Sequence, residues 1–141
     1  MSTMVESLRQ VPLFRDISNR DLKRLSGSMV EKSFAPGQAV VTEGEGGVGF
    51  FVILEGHANV TRGGEDRGRL RPGDYFGEMA LIDGDDRVAT VVADGELRCA
   101  AMTIGNFRAF VKGHPEVAWS LLTALVKRVR QGESRRTVST G

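Results

Sequence analysis

The chain has 141 residues and a formal net charge of +1 at pH 7, with 40% hydrophobic and 26% charged residues. This is the size of one globular domain, and a wholly disordered chain is excluded. No apolar run approaches the ~18 residues of a membrane-spanning helix, and the N-terminal segment lacks the layout of a signal peptide. A single cysteine, Cys99, excludes an internal disulfide and a multi-cysteine zinc site. We therefore predict one domain over residues 1–141, in the cytoplasm and without a membrane partner.

The basic residues are concentrated at the C-terminal end. Residues 127–141 contain five lysines and arginines and one acid, Glu133. A charge run of this kind is usually a solvated helix end. Because the net charge is close to zero, we predict no nucleic-acid binding by this chain alone.

Residues 1–30 are predicted to be helical. Ser18 is followed three positions later by Asp21, which is a capping-box signature for the start of a helix. Leu22, Leu25 and Met29 then recur at helical spacing and predict one buried face.

Residues 31–103 are predicted to form a roll of short strands. The chain contains 18 glycines, which punctuate short β-branched runs. The nearly continuous apolar run Val48–Leu54 predicts a strand that is buried on both faces. We expect Glu55-Gly56 to turn the chain, residues 62–66 to form a hairpin loop, and Val88–Ala93 and Leu97–Thr103 to be separate strands. About seven or eight strands at this spacing indicate a sandwich or barrel.

Residues 104–131 return to helical periodicity. A short helix around Phe107 is predicted to end near Gly113, and a long amphipathic helix to run from Pro115 to Gln131, with Gly132 as its breaker. Residues 132–141 are then a polar tail. The apolar stripe of the long helix could cover a ligand pocket or pair with a second copy of the chain.

The residues best suited to bind a ligand are concentrated in the segment Phe76–Ala93. Gly77 permits a close backbone approach to a ligand, and Glu78 is a carboxylate that accepts hydrogen bonds. A helical turn after Glu78 could offer backbone N–H groups to an anion, and Arg87 supplies a charged fork suited to phosphate. A nucleotide with a ribose hydroxyl would satisfy this set. The same residues also fit a surface turn with a salt bridge.

The segment resembles the phosphate-binding cassette of cyclic-nucleotide-binding domains, in which F-G-E, a hydrophobic residue and A-L precede a loop, an arginine and A-T-V. Residues outside the cassette also match, including Pro36-Gly37, Glu43-Gly44 and Pro72-Gly73-Asp74. The matching cassette residues are Phe76, Gly77, Glu78, Ala80, Leu81, Arg87, Ala89, Thr90 and Val91.

The resemblance implies a mainly β fold with flanking helices, namely an eight-stranded jelly-roll β-sandwich (a double-stranded β-helix) with N-terminal helices and C-terminal hinge and lid helices. It also implies a ligand, cAMP, with Glu78 accepting from the ribose 2′-hydroxyl and Arg87 pairing with the phosphate. Arg128 and Arg135 lie where the family's lid reaches the base, although a solvated helix end is the simpler interpretation. The implied ligand-binding set is Phe76, Gly77, Glu78, Met79, Ala80, Arg87, Val88 and Ala89.

Two departures from the family pattern bear on affinity and selectivity. Asp85 and Asp86 precede Arg87, where many members have proline, and two acids there could weaken anion binding. Val88 replaces a common serine or threonine, whose hydroxyl can bond the guanine amino group. We therefore expect cGMP to bind more weakly than cAMP.

The resemblance favours a cAMP receptor module that signals to a protein effector, and three alternatives to it remain. A transcription regulator needs a helix-turn-helix after the lid, so this chain could only be the sensing fragment of one. A degenerate member with a closed pocket would act as a protein-interaction module. An enzyme is disfavoured, because the sequence assembles no nucleophile–base pair, and the isolated His57 and His114 indicate no metal site.

Overall fold

The computed structural model of the protein describes residues 4–42, 49–77 and 89–140, with residues 132–140 described by their backbone alone. The N-terminal part is helical, as predicted. It consists of α1 (Met4–Arg9), one turn of 3-10 helix (Pro12–Phe14) and α2 (Asn19–Gly27). The Ser18 hydroxyl accepts a hydrogen bond of 3.1 Å from the backbone N–H of Asp21, which confirms the predicted start of α2.

The central part is an antiparallel sheet, whose strands are β1 (Val30–Phe34), β2 (Ala39–Val41), β3 (Gly49–Arg62), β4 (Glu65–Leu70), β5 (Tyr75–Phe76) and β6 (Thr90–Thr103). The strand order is β1-β6-β3-β4, and in addition β2 pairs with β6 and β5 pairs with β3. The prediction of a mainly β fold with flanking helices is confirmed, whereas the described residues contain six strands and not the predicted eight.

Two predicted chain breaks were wrong. The expected turn at Glu55-Gly56 and the expected gap before Leu97 both lie inside continuous strands of 14 residues, β3 and β6. Gly56 has φ +90° and Gly95 has φ +85°, and the β3–β6 register shifts on both sides of Glu55. A glycine in the left-handed region accommodates a β-bulge, which bends a strand without ending it.

The predicted hairpin loop is confirmed. Arg62 at the end of β3 pairs with Glu65 at the start of β4, so the loop between them is Gly63-Gly64. Both glycines have positive φ, +59° and +80°, as a type I′ hairpin turn requires.

The first part of β3, through Ile53, is buried on both faces, as its apolar run predicts. Phe50 and Val52 belong to the core that contains the helices, whereas Phe51 and Ile53 belong to a second core inside the roll. Strand β3 therefore lies between two apolar clusters, one that includes residues of the helices and one that is formed by residues of the strands.

Two helices follow the sheet, α3 (Ile104–Gly113) and α4 (Pro115–Thr140). The end of α3 matches its prediction, but the predicted end of α4 at Gln131 and the separate polar tail were wrong, since the helix continues through Gly132. One glycine inside a helix costs only about 1 kcal/mol relative to alanine, and no proline follows it. Within the described ranges, the structure contains no helix that is long and apolar enough to cross a membrane.

Candidate functional site

The candidate site lies in the connection between β5 and β6, and β3 positions both of its ends. Phe76 in β5 is paired with Phe51, and Thr90 at the start of β6 is paired with Thr61. One long strand therefore fixes where the connection leaves the sheet and where it returns.

The N-terminal end of this connection is held by aromatic packing and by a glycine turn. Phe76 is buried, and its ring stacks on that of Phe51 with a centroid distance of 5.0 Å and an interplanar angle of 8°. Gly77 follows with φ +95°, a conformation that residues with a Cβ rarely adopt. The glycine of the family motif thus stands where the backbone requires one.

The Pro72-Gly73-Asp74 turn positions β5, and the Asp74 carboxylate caps this turn. The Asp74 side chain accepts a 2.9 Å hydrogen bond from the backbone N–H of Arg71. The Asp74 carbonyl accepts from the N–H of Ile53, and the Ile53 carbonyl accepts from the N–H of Gly73, both at 2.9 Å. These bonds pin the turn to β3, immediately before Tyr75 and Phe76.

Only part of the predicted site falls within the described residues. Phe76, Gly77 and the half-buried Ala89 are placed at the two ends of the connection. Glu78, Met79, Ala80, Arg87 and Val88 lie outside the described residues, as do Asp85 and Asp86, so their roles remain predictions.

The interior next to the site is apolar. Phe76 shares its core with Phe51 and with residues of β6, including Val91 and Cys99. Burial raises the pKa of the Cys99 thiol to about 12, so this cysteine stays protonated and unreactive. Among the residues that the structure describes, no three histidine, cysteine, aspartate or glutamate side chains are grouped so that they could hold a metal ion.

The apolar stripe of α4 is covered only at its beginning. Val117 and Leu121 are buried, but Trp119 is 72% exposed, Leu122 52%, Val126 50% and Val129 59%. The second half of the stripe is therefore mostly exposed in this structure, with Leu125 half-buried. Of the two arginines predicted for a lid, Arg128 is exposed on α4 and Arg135 lies further along the same helix, where the structure describes the backbone alone.

Two features of the structure were missed at the sequence level. The first is the stack of Phe76 on Phe51, for which the apolar alternation of β3 was the available signal. The second is a contact between His114 and Asp21, which are far apart in the chain and carry no shared local pattern.

Comparison with known proteins identifies the class. The sequence profile of the cyclic nucleotide-binding domain matches residues 31–114, which include the whole β5–β6 connection. The chain belongs to the cyclic nucleotide-binding domain family.

Relatives and solved structures agree with this assignment. A cAMP-dependent protein kinase regulatory subunit of Yarrowia lipolytica is 37% identical over 103 residues, which cover 72% of this chain and 28% of that protein. The crystal structure of the Thermus thermophilus catabolite activator protein has a TM-score of 0.83 and 25% identity, and the match covers 92% of this chain and 63% of that one. A co-crystal structure of the regulatory domain of Toxoplasma gondii PKA with cAMP has a TM-score of 0.78 and 24% identity, covering 88% and 48% of the two chains. The chain thus spans less than a third of the length of its Yarrowia relative.

Proposed function

We propose that the protein binds a 3′,5′-cyclic nucleotide, cAMP in preference to cGMP, in the β5–β6 connection. The observation that carries this proposal is the family match across residues 31–114, because it includes the complete cassette sequence Phe76–Val91. The left-handed backbone at Gly77 supports it, since the motif glycine is used there as a close approach to ligand would need.

The resemblance to the family assigns the roles of the cassette residues, and the chemistry of each side chain is compatible with its role. Arg87 pairs its guanidinium fork with the exocyclic phosphate oxygens, and Glu78 accepts a hydrogen bond from the ribose 2′-hydroxyl. Backbone N–H groups near Ala80 and at Val88 and Ala89 donate to the phosphate. Met79 belongs to the implied ligand-binding set through its position between Glu78 and Ala80.

Selectivity for cAMP follows from Val88. A valine has no hydroxyl to donate or accept, so the guanine amino group gains no partner at this position. No metal ion is required for either ligand, because Arg87 supplies the counter-charge of the phosphate.

The output of binding is a movement of α4 that a protein effector detects. In this proposal the residues past Leu121 close over the base, and Arg128 or Arg135 contacts the base. The complete fold is the eight-stranded jelly roll, and the protein acts in the cytoplasm. Ligand can shift α4 only if it contacts the closed arrangement better than the open one. A sensing fragment of a larger regulator would work in the same way.

The exposed stripe of α4 favours a second candidate, a homodimer through this helix. Trp119, Leu122, Val126 and Val129 recur at intervals of three and four residues, which is the a/d spacing of a coiled-coil seam. All four are at least half exposed, so a second copy could cover them. Sedimentation analysis of the parent and of Leu122→Lys tests this: a dimer that the substitution dissociates supports the seam, and a parent that is monomeric at all concentrations contradicts it.

Replacement of Arg87 tests the binding site. Removal of a charge-assisted fork to phosphate should cost about 2–5 kcal/mol of affinity, roughly 30-fold to several-thousand-fold. The matched control is Arg67→Ala on β4, where the arginine forms an exposed 3.3 Å ion pair with Glu65 and should not affect binding. If Arg87→Ala binds cAMP as tightly as the parent, the site is wrongly assigned; if no variant and no parent binds, a degenerate interaction module becomes the better account.

A further inference from the structure

His114 connects α2 to the junction between α3 and α4. Its Nε2 lies 3.2 Å from Oδ2 of Asp21 in α2, and its Nδ1 lies 2.8 Å from the carbonyl oxygen of Phe110 in α3. The imidazole also stacks on the Phe110 ring, with the centroids 4.2 Å apart. The contact is largely shielded, since the His114 side chain is 19% exposed and that of Asp21 32%.

Both ring nitrogens of His114 face oxygen atoms that can only accept hydrogen bonds. A neutral imidazole carries one N–H and one lone pair, so it can satisfy only one of these two oxygens. The imidazolium form carries two N–H groups and satisfies both. The geometry therefore fits the protonated ring.

The charges around the ring favour the same form. Burial lowers the pKa of His114, but the hydrogen bonds to Phe110 and Asp21, together with the negative charges of Asp21 and Glu116, outweigh it and raise the pKa above its ordinary value. The hydrogen bond from His114 lowers the pKa of Asp21 despite some desolvation, with smaller contributions from Ser18 and Arg24.

The position of His114 in the chain couples the ring to both C-terminal helices. It is the one residue between the last residue of α3, Gly113, and the first of α4, Pro115. Its backbone N–H donates to the Val111 carbonyl at 3.1 Å, and its carbonyl accepts from the N–H groups of Val117 and Ala118 at 2.9 and 3.2 Å. A change in the ring therefore acts directly on the α3–α4 junction.

We propose that His114 and Asp21 form a pH-operated latch, which ties α2 to the α3–α4 junction when the imidazole is protonated and releases it when the imidazole is neutral. The latch uses no cassette residue and does not depend on the proposed function. It gives the chain a proton-sensitive control over the point at which α4 begins.

The direction of the pH effect follows from linkage. Because folding raises the pKa of His114, the latch stabilises the fold fully below the unfolded-state value of about 6.5, and this stabilisation is lost as pH rises through the folded-state value. Folding lowers the pKa of Asp21, so its contribution is lost at the acid end, as pH falls through the folded-state value of the carboxyl.

An NMR titration of the imidazole signals in the parent and in Asp21→Asn tests the latch. We expect the His114 midpoint to fall in Asp21→Asn and to fall less in Glu116→Gln. In the parent, the amide signals of Val117 and Ala118 in α4 and of Leu22 in α2 should titrate with the His114 midpoint. His57 in β3 is the control for a general effect of either substitution.

An unchanged His114 midpoint in Asp21→Asn would overturn the proposal, as would amide signals in α2 and α4 that do not follow the titration of the ring. If Asp21→Asn does not fold, His114→Gln decides the question through urea denaturation between pH 5.5 and 8.5. The parent should lose stability across this range and His114→Gln should lose less; equal losses would contradict the latch.

Discussion

Substitution of Gly56 by alanine tests whether the bulge in β3 shapes the roll. A Cβ at this position would lie 2.2 Å from the backbone oxygen of Glu96 and 3.1 Å from the Cα of Leu97, both in β6. Gly56 also has φ +90°, which disfavours any residue with a side chain. Since both nearby atoms belong to the backbone, the two strands must move apart to make room.

The expected loss in the free energy of unfolding of Gly56→Ala has two parts. The left-handed conformation costs about 1–2 kcal/mol for a residue other than glycine, and forcing a group into a well-packed region costs about 1–3 kcal/mol more. We therefore expect Gly56→Ala to lower the free energy of unfolding by about 2–5 kcal/mol. The matched control is Gly95→Ala in β6, where φ is +85° but no described atom lies within 4 Å of the added Cβ, so only the conformational part applies.

Urea denaturation followed by circular dichroism measures both variants against the parent. Gly56→Ala should be clearly less stable than Gly95→Ala, since the difference isolates the contact with β6. Equal destabilisation by the two substitutions would refute the reasoning, because it would leave no role for the close approach of the strands.

Two further predictions concern the ligand. Val88→Thr should narrow the difference in affinity between cAMP and cGMP by about one hydrogen bond, ~0.5–1.5 kcal/mol, in competition titrations; an unchanged difference would mean that this position does not contact the base. Truncation at Lys127 should weaken cAMP binding and leave the fold intact. In the parent protein, cAMP should slow amide hydrogen exchange both at residues 77–89 and at residues 125–131. Slowed exchange at residues 77–89 alone, with unchanged affinity after truncation, would show that α4 is not a lid.

Local patterns predicted much of the fold because their physical causes are local. The Ser18 cap fixes the start of α2, and the Gly63-Gly64 pair fixes a two-residue hairpin. Gly56 misled the prediction, because an isolated glycine with positive φ serves a turn and a bulge equally well. Only the pairing of β3 with β6 decides between them, and that pairing is a long-range property.

The full length of the C-terminal helix and the contact between His114 and Asp21 were both missed. Gly132 weakens a helix without ending it, so the length of α4 depends on the good helix formers around the glycine. The partner of His114 is Asp21, which lies at the other end of the chain, and neither residue stands in a pattern that points to the other.

The candidate site was predicted mainly from the order of residues in its motif, and less from the chemical properties of the individual residues. A glycine, a glutamate and an arginine in one segment also fit an ordinary surface turn, and only their order within a longer pattern distinguishes a cassette. The structure adds three features that the motif does not show. These are the stack of Phe76 on Phe51, the left-handed backbone of Gly77, and the hydrogen bond of the Asp74 carboxylate within its own turn.

A calorimetric titration of the parent protein with cAMP and, separately, with 5′-AMP tests most directly whether the β5–β6 connection binds a cyclic nucleotide. The two ligands share the adenine and the ribose and differ in the cyclic phosphate, which is the group that Arg87 and the cassette amides are proposed to hold. We expect saturable binding of cAMP and much weaker or no binding of 5′-AMP. Equal binding of both nucleotides, or no binding of cAMP, would contradict it.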